Sequence, residues 1–184
     1  MYNEQERVWL AKKEYVNLKV SRKPVTLYSG VVVGYVSQAN NKLTGEQSFV
    51  LTDKYVWPTA SLEERSTIKE ITILYRGSTA PSIDNVLNPS DKYYYDMRND
   101  WLGNDLPTAL QILKGDTSVA TSQLRSSVET LKEAMCLYPN AQVYVYGHSL
   151  GSMNAQYAVA NVSKKDIDRI QGGFFMKDPI SIRF

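Results

Sequence analysis

Val143-Tyr-Val-Tyr-Gly-His-Ser-Leu-Gly151 decides how this chain reads. Val143 to Tyr146 is a short β-branched and aromatic run, which marks a strand. Ser149 then stands between Gly147 and Gly151, and the small residues Ser152, Ala155 and Ala158 follow in a segment that reads as a helix through about Ser163. A G-x-S-x-G run between a strand and a helix is a nucleophile elbow. The turn is so sharp that a Cβ at either glycine would collide with neighbouring backbone. The serine is expected to sit in a strained conformation that lifts its hydroxyl clear of the sheet. A helix starting at Leu150 aims free N–H groups and its positive dipole end at the point where an oxyanion would form. The structural alternative is a Gly-rich strand–helix turn with no reactive serine.

Upstream, Ile71-Thr-Ile-Leu-Tyr75 is short and nearly continuously apolar, the pattern of a strand buried on both faces in a parallel sheet. Arg76-Gly77-Ser78 then reads as a tight turn. A longer helix is expected from near Asp116 or Thr117, with Ala120, Leu124, Val128, Leu131 and Met135 as its apolar stripe, ending at Pro139-Asn140. Ile170-Gln-Gly-Gly-Phe-Phe-Met176 reads as one more strand. Strands alternating with helices define an α/β layered domain.

The N-terminal part differs. Val31 to Val36 and Phe49 to Leu51 form a hairpin around the turn-rich Asn40-Asn-Lys-Leu-Thr-Gly45. Residues 4–20 place Val8, Ala11, Tyr15 and Leu18 at helical spacing, with Lys12, Lys13 and Lys19 elsewhere on the wheel. A helix docked on the body is preferred to one lying on a membrane surface, because Glu4, Glu6 and Glu14 dilute the positive charge. Between Thr79 and Trp101 the chain is irregular and carries Tyr93-Tyr-Tyr95, and a loop of that length in a compact domain is usually functional or mobile, with ordinary loop packing of the aromatic cluster as the alternative. Asn104 or Asp105 could cap a short helix bearing Leu106, Leu110 and Leu113. No linker or repeat interrupts the chain, so residues 1–184 are expected to form a single domain with a mostly parallel sheet and an N-terminal hairpin.

Composition narrows the chemistry. The 21 Lys+Arg against 19 Asp+Glu leave a net charge of +2, which is no footprint for nucleic acid. Apolar residues at 43% and charged ones at 22% describe a globular protein. One cysteine, Cys136, excludes an internal disulfide and a thiolate metal cage, and its apolar neighbours suggest a buried structural thiol. One histidine, His148, excludes a His-rich metal site. Neither a membrane span nor a signal-peptide pattern is visible, so a cytoplasmic location is the default expectation, with export by a route that reads no such signal as the alternative. The glycine turn matches neither the Walker nor the dinucleotide fingerprint, so phosphate or nucleotide binding there is a weak reading.

With these residues in view, the chain resembles the lipase-type α/β-hydrolases, especially the class-three lipases and their lipase-like relatives in bacteria. Val143 to Ser152 looks like their nucleophile region, and Ile73-Leu-Tyr-Arg-Gly-Ser-Thr79 is similar to their strand-end motif for the other half of the oxyanion hole. Asp100-Trp101 is similar to a weaker family feature, and the resemblance runs in order through residues 30–176. It implies a partial α/β-hydrolase three-layer sandwich acting on a carboxylic ester or lipid without a cofactor. By position, Ser149 would be the nucleophile and Leu150 N–H one oxyanion donor. Ser78 would be the second donor through its N–H, with its hydroxyl as a further candidate.

The triad is incomplete. In this fold an acid and then a histidine follow the serine, and no histidine follows Ser149. As the immediate neighbour on a tight turn, His148 is expected to point away from the hydroxyl and to pack beneath the elbow. Asp166 and Asp168 come too early for the acid, and Asp178 precedes the further strand after which the family places it. These absences suggest a hydrolase cut short, weak or inactive alone, or one piece of a split protein that a C-terminal segment complements. The alternative is a catalytically silent module that binds a partner or a lipid. If terminal strands are missing, Ile170–Met176 is an exposed edge open to self-association.

Overall fold

The doubly buried strand expected at Ile71–Tyr75 lies inside a six-stranded sheet. The computed structural model describes residues 3–13, 16–77, 122–148 and 150–176, all within one compact unit. In chain order the elements are α1 (Glu4–Lys13), β1 (Val25–Thr26), β2 (Val32–Asn41), β3 (Gln47–Thr52), α2 (Leu62–Ser66) and β4 (Glu70–Tyr75). Then come α3 (Ser122–Leu137), β5 (Gln142–His148), α4 (Leu150–Ala160), α5 (Lys164–Ile167) and β6 (Ile170–Met176). The strands stand side by side in chain order, β1 to β6.

Pairing is antiparallel from β1 through β4 and parallel from β4 through β6. The α/β class and the N-terminal hairpin hold, but the expectation of a mostly parallel sheet is corrected: the sheet is mixed, and only β4–β5–β6 run parallel. The reason is connection length. The short turn between Asn41 and Gln47 can only reverse the chain, whereas parallel neighbours need a crossover, which α3 and α4 provide.

Side-chain alternation divides the core into two faces. Val50, Ile71, Ile73, Tyr75, Val143 and Val145 face Leu131, Ala134 and Met135 of α3 and Ala155 and Ala158 of α4. Phe49, Leu51, Leu74 and Tyr146 face the other way, with Leu10 of α1. Helices thus cover both faces of the central strands, which accounts for the apolar continuity of β4. Behind the sheet, the Arg169 guanidinium donates to the carbonyls of Met135 and Ala141 at 3.1 Å and also to that of Tyr138. It ties the exit of α3 to the start of β6.

Two expectations are corrected. The N-terminal helix ends at Lys13, and its buried anchor is Leu10, which is fully inaccessible, while Val8 is only half-buried. Asn3 starts it by a reciprocal cap, its Oδ1 accepting from Glu6 N–H at 2.9 Å and its N–H donating to the Glu6 carboxylate at 3.0 Å. Cys136 is exposed. Met135 and Tyr138 face the sheet, and the next position after Met135 turns about 100° around the helix toward solvent. The stripe Leu124, Val128, Leu131 and Met135 is buried as expected; Ala120 and the expected helix start lie outside the described residues. So do the segment bearing Tyr93–Tyr95 and Trp101, the short helix expected after Asn104, and Asp178.

Candidate active site

Two chain segments meet at the C-terminal end of the parallel strands. One is the exit of β4, Tyr75-Arg76-Gly77; the other is the passage from β5 into α4. In the sheet Tyr75 pairs with Gly147, and His148 pairs with Met176 of β6. Ser149 and Ser78 lie outside the described residues, so the flanking residues define the site.

The glycines show how tight that site is. A Cβ on Gly147 would overlap the carbonyl of Gly151 and stand 2.8 Å from the amide nitrogen of Ser152. A Cβ on Gly151 would overlap the carbonyl of Tyr75 and stand 2.8 Å from the nitrogen of Gly77. Neither is among the glycines with positive φ, so close backbone approach, and not a left-handed conformation, demands glycine here. The first contact folds strand back against helix; the second presses the helix start onto the β4 exit. The two sequence motifs that were quoted seventy residues apart are therefore in backbone contact.

Leu150 is the first residue of α4 and partly buried. N–H groups in the first turn of a helix have no partner within that helix, and they carry the positive end of its dipole. Gly77 is buried, and Arg76 is half-buried with its backbone N–H donating to the Gln47 carbonyl at 2.9 Å. The Arg76 Nε is buried without a hydrogen-bond partner among the described residues. His148 is half-buried at the end of β5. Alternation along the strand puts it on the side of Tyr146 and α1, whereas Gly147 shares the side of Val145 and α4.

A polar scaffold that sequence reasoning missed supports this junction. Tyr75 is fully buried, and its hydroxyl donates to the Ser127 carbonyl at 2.6 Å. The Ser127 hydroxyl lies 2.6 Å from the Leu124 carbonyl and 3.0 Å from that of Asn154. Side chains thus link β4, α3 and α4 directly under the elbow. Burial, and secondarily the charge of Glu46, pushes the Tyr75 phenol well above 10.0, which keeps it a neutral donor. Asn154 is fully buried, with neither amide atom paired among the described residues.

Glu46, at the end of the β2–β3 turn, is also fully buried. One carboxylate oxygen accepts from Thr130 of α3 at 3.3 Å; the other has no partner among the described residues. Burial raises its pKa above the ordinary 4.5, with Ser48, Lys42 and Thr130 pulling it back and Glu133 adding to the rise. The visible signal was Ser126-Ser127 and Thr130 along a helix otherwise apolar on its inner side. Among the described residues no cluster of three or more His, Cys, Asp or Glu could hold a metal, and no helix is long and apolar enough to cross a membrane.

A mixed α/β sheet, a strand that turns into a helix through two glycines without room for a methyl, and a second strand exit pressed against that turn define a hydrolase-type α/β protein. The chain belongs to the class 3 lipase family, whose model matches residues 72–177, more than half of the sequence and both glycine motifs. Neither the curated proteins nor the solved structures gave a match. Family membership implies an ester or lipid substrate.

Proposed function

We propose that this chain carries the nucleophile half of a serine-dependent lipid-ester hydrolase. On this reading Ser149 Oγ attacks the ester carbonyl carbon and its proton passes to a general base. The carbonyl oxygen becomes an oxyanion held by the N–H groups of Leu150 and Ser78. Collapse expels the alcohol, which takes up the proton, and water then releases the acid from Ser149. The observation that carries the reading is the seating of Gly151 against the Tyr75 carbonyl and the Gly77 nitrogen, which brings the two donor-bearing segments together. Two preorganised donors contribute a few kcal/mol at the transition state.

The base is the weak point. The only histidine, His148, belongs by strand alternation to the face opposite α4. Loss of a triad histidine costs on the order of 10⁶ in turnover, about 8 kcal/mol of barrier. The chain alone is therefore a very poor esterase, and full activity requires a base from outside it. We also propose that the β6 edge, outermost among the described strands, is where a second chain or a complementing segment adds.

Fluorophosphonate labelling tests this. Slow modification confined to Ser149, absent in Ser149→Ala and accelerated when a complementing partner is present, is expected. No labelling above the Ser149→Ala control under any condition would instead favour the silent module that binds a partner or lipid.

A further inference from the structure

At the β1 edge, Lys13 and residues between Asn17 and Thr26 wall a cavity of about 350 Å³. Lys13, Lys19 and Lys23 all line it, with Asn17, Ser21 and Thr26 supplying neutral polar groups. No carboxylate lines it among the described residues, and the ion pairs described among them are both made by Lys42. Residues 12–24 hold five basic side chains and a single acid, Glu14. Lys19 and Lys23 are exposed and the Lys13 ammonium stands 5.6 Å from the centre of the Tyr28 ring, so this basic lining suits an anion with several oxygens.

The loop is braced rather than slack. Leu18 packs on the α1-side core, and Val25 and Val33 continue that core through β1 and β2. The Ser21 hydroxyl accepts from the Lys23 N–H at 3.3 Å, fixing the turn that presents Lys19 and Lys23. Apolar groups stand beside the lysines. Val16 is 50% exposed and Val20 41%, and the half-exposed Trp57 ring carries the Arg22 guanidinium 4.2 Å from its centre. A dissolved phosphate has no use for exposed valines and tryptophan. A membrane surface does, since it offers phosphates at the level of the headgroups and apolar chains just beneath.

We propose that this cavity binds the phosphate of an anionic phospholipid headgroup, docking the protein on a lipid surface through a site separate from the elbow. The proposal does not depend on Ser149 chemistry, so it stands or falls apart from the ester reading.

The test is cosedimentation of the full chain with phosphatidylcholine vesicles containing or lacking phosphatidylglycerol. Binding is expected only with phosphatidylglycerol present. At about 1 kcal/mol per lysine near the surface, Lys19→Ala/Lys23→Ala should bind roughly thirtyfold more weakly. Lys164→Ala/Lys165→Ala, which removes the same charge from exposed positions on α5, should bind like the parent. Val16→Ser/Val20→Ser should also weaken binding. Equal loss in both lysine pairs would reduce the effect to net charge and overturn the site. Binding of inorganic phosphate without vesicle binding, or undiminished vesicle binding by the valine variant, would overturn the lipid assignment. All six substituted side chains are exposed, and unchanged thermal melts confirm that the variants fold.

Discussion

At Gly151 the packing leaves no room for a methyl group, because the added carbon would fall on the Tyr75 carbonyl. Backbone on both sides means neither partner can swing aside. Gly151→Ala should therefore cost at least the roughly 1–3 kcal/mol of an overpacked core, read as a lower urea midpoint. Gly172→Ala is the matched control: its Cβ would meet the Tyr144 ring at 3.8 Å, an ordinary contact, and stability should change little. Glu46 gives a pH signature. Its folded pKa is raised above 4.5, so below that pH both folded and unfolded states are protonated and nothing is lost. As pH rises, the unfolded chain ionises first, and folding stability falls until the buried carboxyl ionises as well. Glu46→Gln should flatten this decline, so that its stability relative to the parent improves from pH 4.5 toward neutrality in urea titrations at stepped pH. Glu70, raised by burial and then by Asp53, leaves a slope of the same sign in that variant.

Among the described residues, buried polar ties join the elements. Tyr75→Phe keeps the ring and removes the second donor to the Ser127 carbonyl, which retains its helical N–H partner, at a cost of about 0.5–1.5 kcal/mol in chemical denaturation. The loss should appear as loosened α3, with faster amide exchange near Ser127. The parallel strands, the stripe of α3 and the crowded glycines were legible because each is a local pattern: β4 is apolar throughout, Leu124 to Met135 recur at helical spacing, and Gly147 and Gly151 bracket one turn. Where the pattern depends on a distant partner, reading fails. Nothing near Leu10 says that it, and not Val8, meets the sheet, since that depends on where α1 crosses the far face. Glu46 looks like any turn carboxylate until α3, more than seventy residues on, closes over it. Cys136 sits one step beyond a buried methionine, and only the helix phase separates the two.

At the scale of the molecule, the sheet ends differently on its two sides. On one side β1 is only two residues long, and a short edge strand gives little purchase to another chain. On the other, β6 has seven residues, with Gly172 and Gly173 at its centre, and its far side has no strand neighbour among the described residues. Backbone N–H and C=O groups along such an edge form a template for a further strand, and a partner adding there would continue the parallel run that began at β4. Concentration-dependent association is therefore expected in light scattering. Gln171→Lys places a charge at an exposed position at the start of that edge and should shift the balance toward monomer, while leaving the folding stability within about 0.5 kcal/mol of the parent. A parent that stays monomeric at high concentration would remove the edge as an assembly surface and leave a base supplied by another chain without a docking place on this sheet.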